Sequence, residues 1–263
     1  MVQLNTIKRR ASAVSGALRN ATNRIENETV LLPNKGNKLI AKCVNSRESL
    51  EKVFRLAYDV YSEKGYAFQH ETKMETSVFD ANDKTLILMV ENDKNEIIGS
   101  MSLYYDDGKL LPADSIFNEE LNSLRNQGIK FAEVSRFVVR QDYQHQKDIL
   151  ISLINTIFIH AFRIMKIDEF VIEVNPRHVD YYKKLLGFVQ FGNVKECPRV
   201  NNAPAVLLRC NNEKYLKIVD KGEFERRTLY NNFLPKNLEA GVIEMLRNKR
   251  PLSLSDKEYF NIF

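Results

Sequence analysis

The sequence predicts an α/β domain: a mixed, mainly antiparallel sheet flanked by helices, with an extra N-terminal helix and a helical C-terminal tail. Three observations lead to this. Residues 85–90 and 97–105 are apolar runs joined by the polar stretch 91–96, which signals an antiparallel hairpin. The strand-like run 130–140 feeds a long apolar helix over about 147–165 and then a second apolar run at 170–174, a strand–helix–strand unit. Hydrophobic content of 44% with only 7 Pro and 10 Gly in 263 residues excludes a disordered or collagen-like chain and is ample for a buried core.

The elements follow in order. Residues 1–36 read as a basic amphipathic leader, because Leu4, Ile7, Ala11, Val14, Leu18, Ala21 and Ile25 alternate spacings of three and four. The net charge of +5 is confined to residues 1–38; the rest of the chain is balanced. A helix packed on the body or on a partner subunit, and so a homodimer, is one use of that stripe; peripheral membrane contact and a carrier landing site are others. Pro33-Asn34-Lys35-Gly36 breaks the chain, and the main domain spans 37–210. A strand at 39–44 precedes a helix capped by Ser46, with Ser49 in its first turn, that ends at Gly65. After the hairpin, Leu111-Pro112 opens into a helix near 116–125, stopped by Gly128. Behind the long helix come a strand at 170–174, a helix at 178–186, and strands at 188–194 and 205–210. Residues 211–263 are a helical extension in which Leu216, Leu229, Phe233, Leu238, Met245 and Leu246 are available to pack back.

Several functions are excluded by composition. A balanced body lacks the basic face that nucleic-acid binding needs. Cys43, Cys197 and Cys210 are scattered, give no zinc spacing and fit reduced thiols, so no metal is expected. Residues 149–162 lack charge over too short a span for a membrane, which takes about 20 residues, so they read as a buried helix. No signal-peptide h-region is visible, which favours the cytoplasm, with the inner membrane face as a peripheral alternative.

Chemistry concentrates in two segments. In residues 130–140, Glu133, Ser135 and Arg136 stand inside a strand otherwise bounded by Phe and Val, where charge is costly without partners. Strand alternation puts Glu133 and Ser135 on one face and Arg136 on the other. Downstream, Asn175-Pro-Arg-His178-Val-Asp-Tyr181-Tyr182-Lys-Lys-Leu-Leu-Gly187-Phe188 resembles the Asn…Tyr…Gly-Phe segment of the GNAT acyltransferase superfamily. The usual glycine turn that cradles the CoA pyrophosphate is missing: residues 140–148, Arg140-Gln-Asp-Tyr-Gln144-His145-Gln-Lys147-Asp148, contain no glycine. Glu133-Val-Ser135-Arg136 is similar to the strand shared by acyl-homoserine-lactone autoinducer synthases and long-chain N-acyl amino acid synthases of the FeeM type. The order Leu111-Pro112…Leu124-Arg125…Gly128…Glu133-Val-Ser-Arg136 and the helix Tyr58-Asp-Val60-Tyr61-Ser-Glu63 resemble the FeeM pattern more closely. Two departures stand out. Ala57 replaces an Arg of the family, with Arg55 facing elsewhere, and Ser102 replaces the Arg of the autoinducer synthases, which argues against lactone production.

The resemblance implies an N-acyltransferase that moves a long-chain acyl group from the phosphopantetheine thioester of acyl carrier protein to the α-amine of an amino acid. Short-chain acyl-CoA transfer and a non-catalytic acyl-binding or membrane-peripheral module are the alternatives. Such a transfer needs a base for the amine, whose pKa is about 8, and a donor for the oxyanion. Glu133 is the expected base, with Arg136 orienting its carboxylate or the acceptor's. Backbone N–H groups of Phe137, Val138 and Val139 are implied for the thioester carbonyl, and Tyr181 or Tyr182 for the departing thiolate. Arg140, His145, Lys147 and Asn175 complete the expected donor site. His160, on the apolar helix, reads as a core histidine.

Overall fold

Ser46 begins the first described helix by accepting a hydrogen bond from the Ser49 N–H at 3.2 Å, while the Ser49 hydroxyl oxygen accepts the Ser46 N–H in return. The helix, α1 (Arg47–Glu63), runs on to Gly65, whose φ of +70° turns the chain away. The computed structural model describes residues 29–32, 39–66, 71–108, 110–145 and 147–262. The leader's helical stripe, with its charge, lies outside the described residues. Its last part does not continue as helix, because Thr29–Leu32 forms a strand, β1, paired antiparallel with β2 (Leu39–Cys43).

Next come β3 (Leu86–Glu91), β4 (Ile97–Tyr105), α2 (Asp114–Asn126) and β5 (Phe131–Val139). The apolar helix α3 (Lys147–Phe158) continues through a wider π-helical segment, Ile159–Met165, to β6 (Glu169–Val174). Lys147–Met165 is long and apolar enough to cross a membrane by length and composition, yet most of it is buried against the sheet. Then follow α4 (Val179–Leu186), closed by Gly187 in the left-handed region, and strands β7 (Val189–Gln190), β8 (Lys195–Cys197) and β9 (Ala203–Asn211). The sheet order is β1-β2-β3-β4-β5-β6-β9-β7, with β8 on β9; among the described strands only β5 and β6 run parallel.

The strand expected over 188–194 is cut to two residues. The Phe191 and Gly192 N–H groups both point at the Leu207 carbonyl, which breaks the ladder. Gly192 also sits under the Phe117 ring, with ring carbons 2.9 Å from where a Cβ would stand.

Helices α1 and α2 cover one face of the sheet; α3 and the tail as far as Leu246 cover the other, while the chain end returns to α1, where the Phe260 ring lies 5.1 Å from that of Phe54. The tail is no detached appendage. Tyr215, Tyr230, Phe233, Val242, Met245 and Leu246 are buried in the same core as α3, whereas Leu238 is half-buried. Phe158 is the hub, with ring centroids 4.6–5.6 Å from those of Phe162, Phe170, Tyr215, Tyr230 and Phe233. Phe158→Ala should therefore cost about 3–5 kcal/mol, seen as a lowered midpoint in urea or thermal unfolding. His160 is buried beside this cluster, bonded through Nδ1 to the Tyr105 hydroxyl, and burial lowers its pKa to about 4.

Candidate active site

The site forms where two neighbouring strands part. β5 pairs with β6 only from Phe131–Glu169 to Val134–Ile172. Beyond that, β5 stays with β4 as far as Val139–Gly99, and β6 stays with β9 as far as Val174–Val206. A wedge opens between them. The bend is a bulge in β5: Met101 alone lies between the paired residues Ser100 and Ser102, opposite both Arg136 and Phe137, and Arg136 has φ +46°. Gly99 lets α3 close over this end, since a Cβ there would stand 3.0 Å from the Ile149 methyl.

The wedge holds a cavity of about 510 Å³ that passes from one face of the sheet to the other. On the α1–α2 face it is polar, lined by Tyr61, Glu133, Ser135, Arg136, Glu173 and Arg199. On the α3 face it is apolar, lined by Met101, Phe137, Val139, Ile154, Ile157 and Phe158 among others. Such a shape keeps a charged reactant and an aliphatic one on opposite sides of a single opening.

Glu133 is 1% exposed, and its Oε2 accepts the Ala113 N–H at 2.9 Å, from the turn into α2. Burial pushes its pKa up to about 8; the Glu173 charge adds to this, while the Ala113 N–H and Arg199 pull against it. Arg136 does not lie on the opposite face, as alternation predicts. The left-handed φ of the bulge returns its side chain to the face of Glu133, where it stacks near Phe54 and Tyr104. Nor does it orient Glu133: its guanidinium grips the buried Asp80 with both Nη atoms, one at 2.9 Å, and reaches Ser102 Oγ and the Glu75 carbonyl. Asp80 in turn accepts from the Tyr104 hydroxyl and the Ser77 N–H.

Of the other expected residues, Phe137, Val139, Lys147, Asn175, Tyr181 and Tyr182 line the cavity. The Arg140 N–H donates to the Ile98 carbonyl of β4, so the strand alternation turns the Val139 N–H toward the open wedge. Tyr182 packs on Phe188, and burial pushes its pKa up to about 12, so it stays protonated. Three expected residues are placed elsewhere. Val138 turns its N–H back toward β4, by the same alternation, and its side chain packs with Ala57 and Val60 on the α1 side. Arg140 pairs with Glu96 and Asp142 and stacks on Tyr143, and His145 is exposed away from the cavity. The sequence reading missed Tyr61, Lys64, Glu173, Arg177 and Arg199, all of which line the cavity. Tyr61 and Arg177 stood in quoted motifs without being singled out; Arg199 follows Cys197-Pro198 in a stretch without periodicity.

A strand wedge with a buried carboxylate on one side and an apolar slot on the other is a geometry for acyl transfer. The sequence profile described as "N-acyl amino acid synthase FeeM" matches residues 52–211. The chain belongs to the FeeM family. This FeeM-family acyltransferase is 27% identical to FeeM itself, an N-acyl amino acid synthase from uncultured soil microbes, with a TM-score of 0.58 over 66% of this chain and 91% of that one. The autoinducer (AHL) synthase LasI shares its fold, at TM-score 0.54 and 17% identity over 73% of this chain and all of LasI. So does TofI, at TM-score 0.51 and 13% identity over 66% of this chain and 90% of that one. No curated protein gives a significant match. The synthase is thus an N-acyltransferase on the mixed, mainly antiparallel GNAT-like fold, and its matched region includes every residue that lines the cavity.

Proposed function

We propose that this synthase transfers a long-chain acyl group from acyl carrier protein to the α-amine of an amino acid, in the cytoplasm. The observation that carries the reading of the donor is the turn before α3. It is glycine-free, so a CoA pyrophosphate finds no backbone cradle there. A carrier-bound phosphopantetheine brings a single phosphate already attached to protein and does not need one. The apolar half of the cavity supports a long chain, because burial of each methylene favours binding by about 0.8 kcal/mol.

The steps use residues that face the wedge. The acyl chain lies along α3, with the thioester carbonyl against the Val139 N–H. Glu133, ionised, takes a proton from the acceptor's ammonium, directly or through water, and the neutral nitrogen attacks the thioester carbon. The tetrahedral intermediate collapses as the C–S bond breaks. The thiolate leaves with a pKa of about 8.5 and takes a proton, a role we assign to the Tyr182 hydroxyl because it lines the cavity and stays protonated. The nitrogen's remaining extra proton passes to Tyr182 or to solvent, and Glu133 releases the proton it took to solvent, so both groups are reset. Lys147, at the start of α3, is a cation for the arm's phosphate.

Steady-state turnover with matched acyl chains tests the donor. The expected kcat/KM with acyl carrier protein exceeds that with acyl-CoA by at least about tenfold. Equal or better turnover with acyl-CoA overturns the carrier assignment and leaves the family chemistry intact.

A further inference from the structure

An α-amino acid carries its amine and its carboxylate on one carbon. Whatever receives the amine's proton must therefore have a cation close by for the carboxylate. Ala57 of α1, 1% exposed and packed against Val138, offers no charge from that side of the site. Five Lys or Arg residues line the cavity: Lys64, Arg136, Lys147, Arg177 and Arg199. Arg136 is closed off by Asp80, Ser102 and the Glu75 carbonyl. Lys147 belongs to the first turn of α3, behind the sheet. Lys64 and Arg177 are exposed at the rim, with Arg177 bonded to the Tyr66 hydroxyl.

Arg199 differs from all four. It is half-buried in the turn between β8 and β9, on the polar face. Its Nη2 is held by Glu173 and its Nε by Ser115 Oγ at 3.0 Å, and Nη1 has no partner among the described residues. Its charge reaches Glu133, since it opposes the rise in that carboxyl's pKa. Building on the acceptor reading above, we propose that Arg199 binds the acceptor's α-carboxylate through Nη1, steadied by Glu173, and thereby selects α-amino acids over simple amines.

The test compares amino acids with their decarboxylated amines: glycine with methylamine, leucine with isopentylamine, phenylalanine with phenethylamine. Each is assayed with one acyl donor in the wild type, Arg199→Met, Arg199→Lys and the double variant Lys64→Met/Arg177→Met. Thermal unfolding confirms that each variant is folded. The wild type should prefer the amino acids. Arg199→Met should lower kcat/KM for the preferred amino acid by at least about 30-fold, mainly through KM, and change the matching amine by less than about threefold. Arg199→Lys should recover part of the loss. Preference that survives in Arg199→Met, or that collapses in the rim double variant instead, overturns the assignment to Arg199 alone. A wild type that acylates amines as readily as amino acids overturns the acceptor reading as well.

Discussion

Glu133→Gln should lower kcat/KM for acyl transfer by about 10²–10³-fold, with donor binding retained. The wild-type rate should rise with pH and level off above about 8, because the base acts only when ionised and its pKa stands at about 8. The variant should lose this limb and keep only the ionisation of the free amine. Stability should move the opposite way. A carboxyl raised to about 8 in the folded state and 4.5 in its absence is mostly neutral in both states at pH 4, where it contributes almost no difference. As pH rises toward 8, the unfolded chain ionises while the folded one resists, so Glu133 progressively destabilises the fold. Gln can still accept the Ala113 N–H. Glu133→Gln should therefore match the wild type at pH 4 and exceed it at pH 9, by on the order of 4 kcal/mol. Urea titrations at the two pH values check this. A slower yet more stable enzyme at alkaline pH is the signature of a strained catalytic carboxylate, and equal stability at both pH values would remove the raised pKa from the account.

Asp80→Ala should damage the fold as much as the loss of a core aromatic ring. Asp80 and Arg136 are both buried, and Asp80 also takes the Tyr104 hydroxyl and the Ser77 N–H. Removing the carboxylate leaves a buried guanidinium without its counter-charge, at a cost of about 3–5 kcal/mol. Replacing both partners, as Asp80→Leu with Arg136→Met, should cost clearly less than Asp80→Ala alone, because no charge is left unpaired. Equilibrium urea unfolding of the two variants decides between this and a pair that contributes little. Since the pair locks the bulge that opens the wedge, Asp80→Ala should also lower turnover beyond what its unfolded fraction explains.

These two carboxylates also show what can be read in the sequence and what cannot. Glu133 was legible because an acid inside an apolar strand has few uses. The Ser46–Ser49 cap and the Gly187 stop were legible because their interactions are local. Arg136 misled, since strand alternation assumes extended φ, and one left-handed residue put its side chain on the other face. Its partner Asp80 lies 56 residues upstream in a short turn, with no periodicity linking the two. Arg199 was silent for the same reason, being brought to the wedge by the β8–β9 connection. The tail's aromatic residues were visible as apolar, but their shared packing around Phe158 depends on tertiary contact alone.

The central claim is that one wedge holds a long acyl thioester on the α3 face and an α-amino acid on the Glu133 face. Mass spectrometry of the products from purified protein, long-chain acyl carrier protein and an equimolar pool of amino acids tests it most directly. The account predicts N-acyl amino acids from the wild type and their near absence with Glu133→Gln. Release of free fatty acid alone, or an undiminished N-acyl amino acid yield from Glu133→Gln in a single-turnover time course, would contradict it.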